Sequence, residues 1–353
     1  MNQRGGAERV FAHFVRAWPD APVYTALYDE RAVGDLVPRA RVRTTFLQRF
    51  PLRQKLFRAY APLYPRAFEA LDLSAYDLIV SSTTAWAKGV RVRPGAVHVS
   101  YLNTVSRFVF DAARYVGGFG LGALARPLVR GLAAWDVRAA QRPTRLIANS
   151  RNVAQRVQRW YGREADVLPC PVDVDRFSVG RGEGDYFVVV SRLLPYKRID
   201  LAIEACAAAG VALHVAGTGP DASRLKKLAA GTRTTFHGAI DDAARNALVG
   251  AARAAIVPGE EDFGLVPLEA AAAGRPTIAY GAGGALETID EGVTGELFRI
   301  PDARALALAI TAFDPARYDA AKLRAHAEQF RPERFVEKLR AIVGETLADR
   351  ARR

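Results

Sequence analysis

The chain is poor in the residues that build bridges and metal sites: two cysteines, one methionine and five histidines among 353 residues. Cys170 and Cys206 each stand among apolar neighbours, which suits buried thiols better than a disulfide. The histidines, at positions 13, 98, 214, 237 and 326, follow no ligand spacing, so no metal site is expected. No apolar run approaches the roughly 18 residues of a membrane span, and the first residues lack the charged-then-apolar layout of a secretory signal. The expected location is the cytoplasm.

Acid is also missing over a long stretch, since none occurs between Asp35 and Glu69. Residues 1–180 hold 27 Lys/Arg against 14 Asp/Glu, whereas residues 181–353 hold 23 of each, so the whole net charge of +13 belongs to the first half. In the acid-free stretch Arg49, Arg53, Lys55 and Arg58 alternate with Phe46, Phe50, Leu52, Leu56, Phe57 and Tyr60. Basic, amphipathic and aromatic-rich, it suits an anionic membrane surface with its aromatics inserted at the interface. A solvated basic face is the plainer reading. Nucleic acid is a third, although no helix-turn-helix, RNP-like or zinc-finger pattern accompanies the charge.

At 353 residues, half hydrophobic and a quarter charged, the chain is a globular protein too long for one ordinary core. Strand and helix patterns alternate throughout, which argues α/β architecture with parallel sheets covered on both faces. Strands are expected at 23–28, 76–82, 96–102 and 144–150, then at 186–191, 212–216, 234–237, 254–257 and 277–280. Clear helices fall at 200–209 and 333–347. The Pro- and Gly-rich stretch 168–185 breaks both patterns and marks a hinge, giving domains 1–170 and 171–329, followed by a C-terminal helix within 330–353.

Four segments carry chemistry. Residues 260–270, Glu-Glu-Asp-Phe-Gly-Leu-Val-Pro-Leu-Glu-Ala, form a loop opening a helix that Gly274 stops, with Glu261 at a sheet's carboxyl edge and Glu269 in the helix's first turns. Residues 188–200 run an apolar strand into Ser191-Arg192, turn at Pro195 and present Lys197 before a helix. A guanidinium and an ammonium at such a junction suit a diphosphate. Gly217 and Gly219 end a strand, where glycine permits close backbone approach to a nucleotide. Gly281-Ala282-Gly283-Gly284 is a tight turn into a further helix.

Together these motifs resemble those of the retaining group 1, or family 4, glycosyltransferases. The resemblance implies the GT-B fold, two Rossmann-like domains facing a cleft. It also implies transfer of a hexose from a nucleotide diphosphate sugar. Arg192 and Lys197 would neutralise the departing diphosphate, Glu261 would bind sugar hydroxyls, the Phe263-Gly264-Leu265 backbone would line the sugar pocket, and Glu269 would take the ribose hydroxyls. Ser191, Gly217 and Gly219 would complete the donor side. No metal or other cofactor is implied.

The N-terminal half matches less fully. Gly5-Gly6 resembles the donor-side turn that follows the first strand in this family, but no strand sequence precedes it; the expectation is a missing first strand and a natural start upstream. Residues 97–111 resemble a mannosyltransferase-like branch at His98, Tyr101, Thr104, Arg107 and Asp111, which favours GDP-mannose. Asn103 stands where that branch has a second histidine beside the donor sugar, and it cannot carry a proton at neutral pH. The expected protein is a hexosyltransferase of cell-surface glycan synthesis, peripheral on the inner membrane face. Arg107 and the basic stretch would serve a polyprenyl-diphosphate-linked or polysaccharide acceptor. The competing readings are a catalytically weak sugar-nucleotide-binding partner subunit and a basic nucleic-acid-associated protein.

Overall fold

The computed structural model describes residues 1–3, 5–110 and 126–352. Two compact units emerge: one holds the described residues up to Cys170 together with those from Pro332, the other Pro171–Arg331.

In the first unit, β1 (Val23–Thr25) and β2 (Val42–Thr44) form a two-stranded parallel sheet. β3 (Leu78–Thr83), β4 (Val97–Leu102), β5 (Arg145–Ala148) and β6 (Asp166–Val167) form a second parallel sheet in that spatial order. Among the described residues these are two separate sheets. Among the described residues no strand precedes the helix Gly6–Ala17. β4 is buried along its whole length, as a central strand covered on both faces must be. The C-terminal helix Pro332–Ala351 belongs to this unit, where Phe335 meets both Phe14 and Tyr101 at 5.6 Å between ring centroids.

The acid-free stretch is not one amphipathic helix. It folds as a series of short turns, Phe46–Arg49, Arg53–Leu56 and Ala61–Leu63, leading into the helix Tyr64–Glu69. Apart from Phe46, its aromatics do not line an outer face as expected. Phe50, Phe57 and Tyr60 pack on a core of Leu47, Tyr64 and Phe68, because rings bury more apolar area than the cations between them.

The second unit is one six-stranded parallel sheet: β7 (Tyr186–Val190), β8 (Ala212–Ala216), β9 (Thr234–Gly238), β10 (Ala254–Val257), β11 (Thr277–Tyr280) and β12 (Gly295–Phe298). Its spatial order is β9-β8-β7-β10-β11-β12. The chain winds outward from β7 in one direction and from β10 in the other, so the switch point falls between these two strands. Ligands of open α/β sheets bind outside the carboxyl ends at such a point. Phe187, Val189, Leu213, Val215 and Ile256 bury one face against the helices Ile199–Ala208 and Ala303–Ala312. Cys170 and Cys206 are both buried and neither is in a disulfide.

Candidate active site

The segments leaving β7 and β10 meet at this switch point. After β7 the chain passes Ser191 and Arg192 and makes a 3-10 turn, Pro195–Lys197. It enters the next helix through Arg198, whose φ of 52° is one of two positive values at non-glycine residues in the described chain. After β10 comes Gly259, where a Cβ would lie 2.7 Å from the carbonyl of Tyr196 and 2.8 Å from that of Lys197. Only glycine lets the two segments run this close.

The proximity pairs the Lys197 ammonium with the Glu261 carboxylate, at 15% and 20% side-chain exposure. Burial, the largest single influence, would lower the Lys197 pKa; the Glu261 charge, the Tyr196 charge and the hydrogen bond to Glu261 together outweigh it and raise the value, so this lysine is held cationic. Arg192 stands near enough for its charge to oppose that rise. Its own side chain is exposed and has no ion-pair or hydrogen-bond partner among the described residues. Two cations and one carboxylate thus converge at the sheet's carboxyl edge.

Glu261 is fixed by its backbone as well. It bridges to Gly283, and its carbonyl accepts the N–H of Gly284 at 2.9 Å. A Cβ on Gly284 would lie 2.1 Å from the Phe263 carbonyl, so the glycine-rich turn is required for packing against the acidic loop. Gly264 has φ 92° and opens the helix Leu265–Ala272. Phe263 is buried, and Leu265 is partly so. Gly217 and Gly219 meet a packing requirement as well: a Cβ at Gly217 would lie 1.9 Å from the Ser191 carbonyl, and one at Gly219 2.2 Å from that of Leu193. The segment after β8 lies against the segment after β7, and glycine permits that approach.

Glu269 pairs with Arg245 at 3.3 Å, with 14% and 10% side-chain exposure. The guanidinium also lies 5.3 Å from the Phe177 ring centroid and 3.6 Å from Asp242. Its Nε is buried without a hydrogen-bond partner. Sequence reading passed over Arg245, since one arginine on a polar helix face carries no local signal. Among the described residues no group of three His, Cys, Asp or Glu side chains is placed to hold a metal ion.

Family models match along nearly the whole chain, residues 4–176 to "Glycosyltransferase Family 4" and 172–330 to "Glycosyl transferases group 1". The chain belongs to the group 1 glycosyltransferases. A D-inositol 3-phosphate glycosyltransferase of Geodermatophilus obscurus is 33% identical over 303 residues, 75% of this chain and 65% of the relative. A glycogen synthase of Xanthomonas campestris is 30% identical over 236 residues, 61% of this chain and 47% of the relative. The chain thus spans less than two thirds of the length of these curated relatives. Anabaena HepE, solved in complex with UDP-glucose, matches at TM-score 0.70 and 20% identity over 99% of this chain and 97% of that one. Sucrose-phosphate synthase from Thermosynechococcus elongatus matches at 0.69 and 21%, over 88% and 84%. The fold is GT-B.

The remaining candidate residues of this glycosyltransferase lie in the first unit. Gly5 and Gly6 cap and begin the first helix. Asn103 follows β4 and donates from Nδ2 to the Ser82 hydroxyl at 3.0 Å. Arg107 opens a short helix, Arg107–Phe110; Asp111 lies outside the described residues. His98 is fully buried against the Ser81 hydroxyl at 2.8 Å, and burial, assisted by the Arg163 charge, lowers its pKa to about 3; it is a packed residue here. The Asn103–Arg107 loop is tied down by a group that sequence reading missed. Asp136 accepts from Ser106 Oγ at 2.9 Å and Tyr161 OH at 2.6 Å and pairs with Lys88, which is 1% exposed. Of the basic stretch, Arg49, Lys55 and Arg58 are exposed and Arg53 is half-buried.

Proposed function

We propose that this chain is a metal-independent, retaining hexosyltransferase using a nucleoside diphosphate sugar. The observation that carries the reading is the convergence of Arg192, Lys197 and Glu261 at the switch point of the six-stranded sheet. As the C1–O bond to the diphosphate breaks, negative charge grows on the leaving oxygen, and the two cations stabilise it from fixed positions. The acceptor hydroxyl forms the new C1–O bond on the same face and passes its proton to the departing phosphate oxygen. Glu261 binds donor-sugar hydroxyls, the backbone of Phe263, Gly264 and Leu265 lines the sugar, and Glu269 takes the ribose hydroxyls. Ser191, Gly217 and Gly219 border the nucleotide. Asn103 supplies hydrogen bonds but no proton.

GDP-mannose is the donor favoured by residues 97–111, and UDP-glucose is the alternative suggested by HepE. The acceptor we assign is a polyprenyl-diphosphate-linked saccharide or a growing polysaccharide, met by Arg107 and the basic stretch at the inner membrane face. No described helix is long and apolar enough to cross a membrane. Calorimetry with GDP-mannose, GDP-fucose, UDP-glucose and UDP-N-acetylglucosamine, on the chain and on Lys197→Ala, tests the donor. Binding of one donor, lost in the variant, and turnover that survives a chelator support the reading. A folded chain that binds none of them refutes it. Donor binding without turnover on any acceptor instead supports the partner-subunit reading, which Asn103 favours.

A further inference from the structure

The first unit has an apolar surface that its own packing does not explain. Leu52 is 63% exposed, Leu56 42%, Phe46 39% and Leu63 36%; three of them lie within the three consecutive short turns and Leu52 caps the second. Between them stand exposed Arg49, Lys55 and Arg58, and no acid occurs from Asp35 to Glu69. The aromatics beneath hold the turns in place. Phe50 and Tyr60 meet edge to face at 5.3 Å, and Phe50, Phe57 and Tyr60 all pack on the core below. The surface is therefore leucines and cations outward over a ring-packed base.

Leu52 adds an independent sign. Its backbone is left-handed, φ 48° and ψ 28°, a conformation that favours Gly or Asn and that L-residues with a long side chain rarely adopt. Its carbonyl accepts the N–H groups of Lys55 and Leu56, each at 2.8 Å, so the turn requires this shape. A leucine here loses backbone stability without gaining burial. Strain retained at an exposed apolar residue points to use of the side chain outside the fold.

We propose that residues 46–63 form a bilayer-insertion face, in which Leu52, Leu56, Leu63 and Phe46 enter the acyl boundary while Arg49, Lys55 and Arg58 meet anionic lipid phosphates. The proposal deepens the membrane part of the function above and is independent of the donor. Charge complementarity selects the occupant. An anionic bilayer matches a cationic rim without acids around aliphatic tips. Single-stranded nucleic acid takes stacking on exposed rings, and here most of the rings face inward.

The test is co-sedimentation of the full chain with phosphatidylglycerol/phosphatidylcholine vesicles and with pure phosphatidylcholine vesicles, at low and high salt. The wild-type chain is expected to sediment with the anionic vesicles and to stay largely in solution with the neutral ones. Leu52→Gly removes the apolar tip and relieves the strain, so it should melt no lower than wild type yet partition several-fold less. The triple variant Arg49→Ser/Lys55→Ser/Arg58→Ser should lose about 100-fold in partition at low salt. Wild type left in solution by anionic vesicles overturns the proposal, as does unchanged partition of Leu52→Gly. Lipid-free self-association abolished by Leu52→Gly also overturns it, by giving the face to a second copy. Calorimetric donor binding on the same samples is expected to be unchanged, which separates failure here from failure of the glycosyltransferase reading.

Discussion

Lys197 and Glu261, 64 residues apart, form one ion pair that joins the turn after β7 to the loop after β10. A strand-to-helix turn and an acidic loop from different crossovers become a single charged unit. The carboxylate, together with the Tyr196 charge, holds the ammonium protonated against its burial, and the exposed Arg192 stands beside them. In the proposed function a diphosphate arriving here would meet cations already in position.

Removing either member of the pair should have opposite effects on nucleotide binding. Lys197→Ala is expected to lower kcat by about 100-fold to 1,000-fold, the usual loss of a fixed charge that stabilises a leaving group, and to weaken donor binding. Glu261→Gln releases Lys197 from its carboxylate, so a free nucleoside diphosphate should bind at least as tightly while transfer falls. Calorimetry with the diphosphate alone, beside turnover assays, separates the two. Diphosphate binding lost in both variants would mean that the pair is merely structural.

Arg245 should act through Glu269. Arg245→Met removes the guanidinium from beside a partly buried carboxylate, a cost of about 1–3 kcal/mol, and lets Glu269 shift. The expected signature is a raised donor KM with a smaller change in kcat. A donor lacking the ribose 2′-hydroxyl should show little further loss in this variant. Equal losses for both donors would assign Arg245 to stability alone.

Lys88 and Asp136 should be costly to break and cheap to replace together. Lys88→Met strands a buried carboxylate and should destabilise the chain by about 3–5 kcal/mol. The double variant Lys88→Met/Asp136→Leu removes both charges and should recover much of that loss in denaturant titrations. It leaves Ser106 and Tyr161 without their acceptor, so recovery should be incomplete. A double variant no more stable than the single one would contradict this account.

His98 gives the fold a pH dependence of definite sign. With its pKa depressed from 6.5 to about 3, the folded chain binds fewer protons than the unfolded one between these values. The stabilisation is complete above 6.5 and is lost as pH falls from there toward 3, by up to about 1.4 kcal/mol per unit. Denaturant midpoints compared at about pH 7 and about pH 5 should converge in His98→Gln relative to wild type, whose stability falls more steeply. Parallel slopes in the two proteins would show that His98 titrates normally in the folded state.

The sequence by itself determined the architecture of the second unit. Parallel strands covered on both faces must be continuous apolar runs, and Phe-Val-Val-Val in β7 and Ala-Ala-Ile-Val in β10 are such runs, each ending where chemistry-bearing residues begin. The short edge strands β2, β6 and β12 escaped the reading, since a few residues half open to solvent leave no pattern to detect. Lys197 and Glu261 were each visible in their local motifs. Their pairing, the Arg245–Glu269 contact and the Lys88–Asp136 bond were decided by tertiary structure, because crossovers of 24 to 64 residues set those distances. The same holds for the basic stretch. Composition showed rings, leucines and cations together, but only the packed core could turn the rings inward and leave the leucines in solvent.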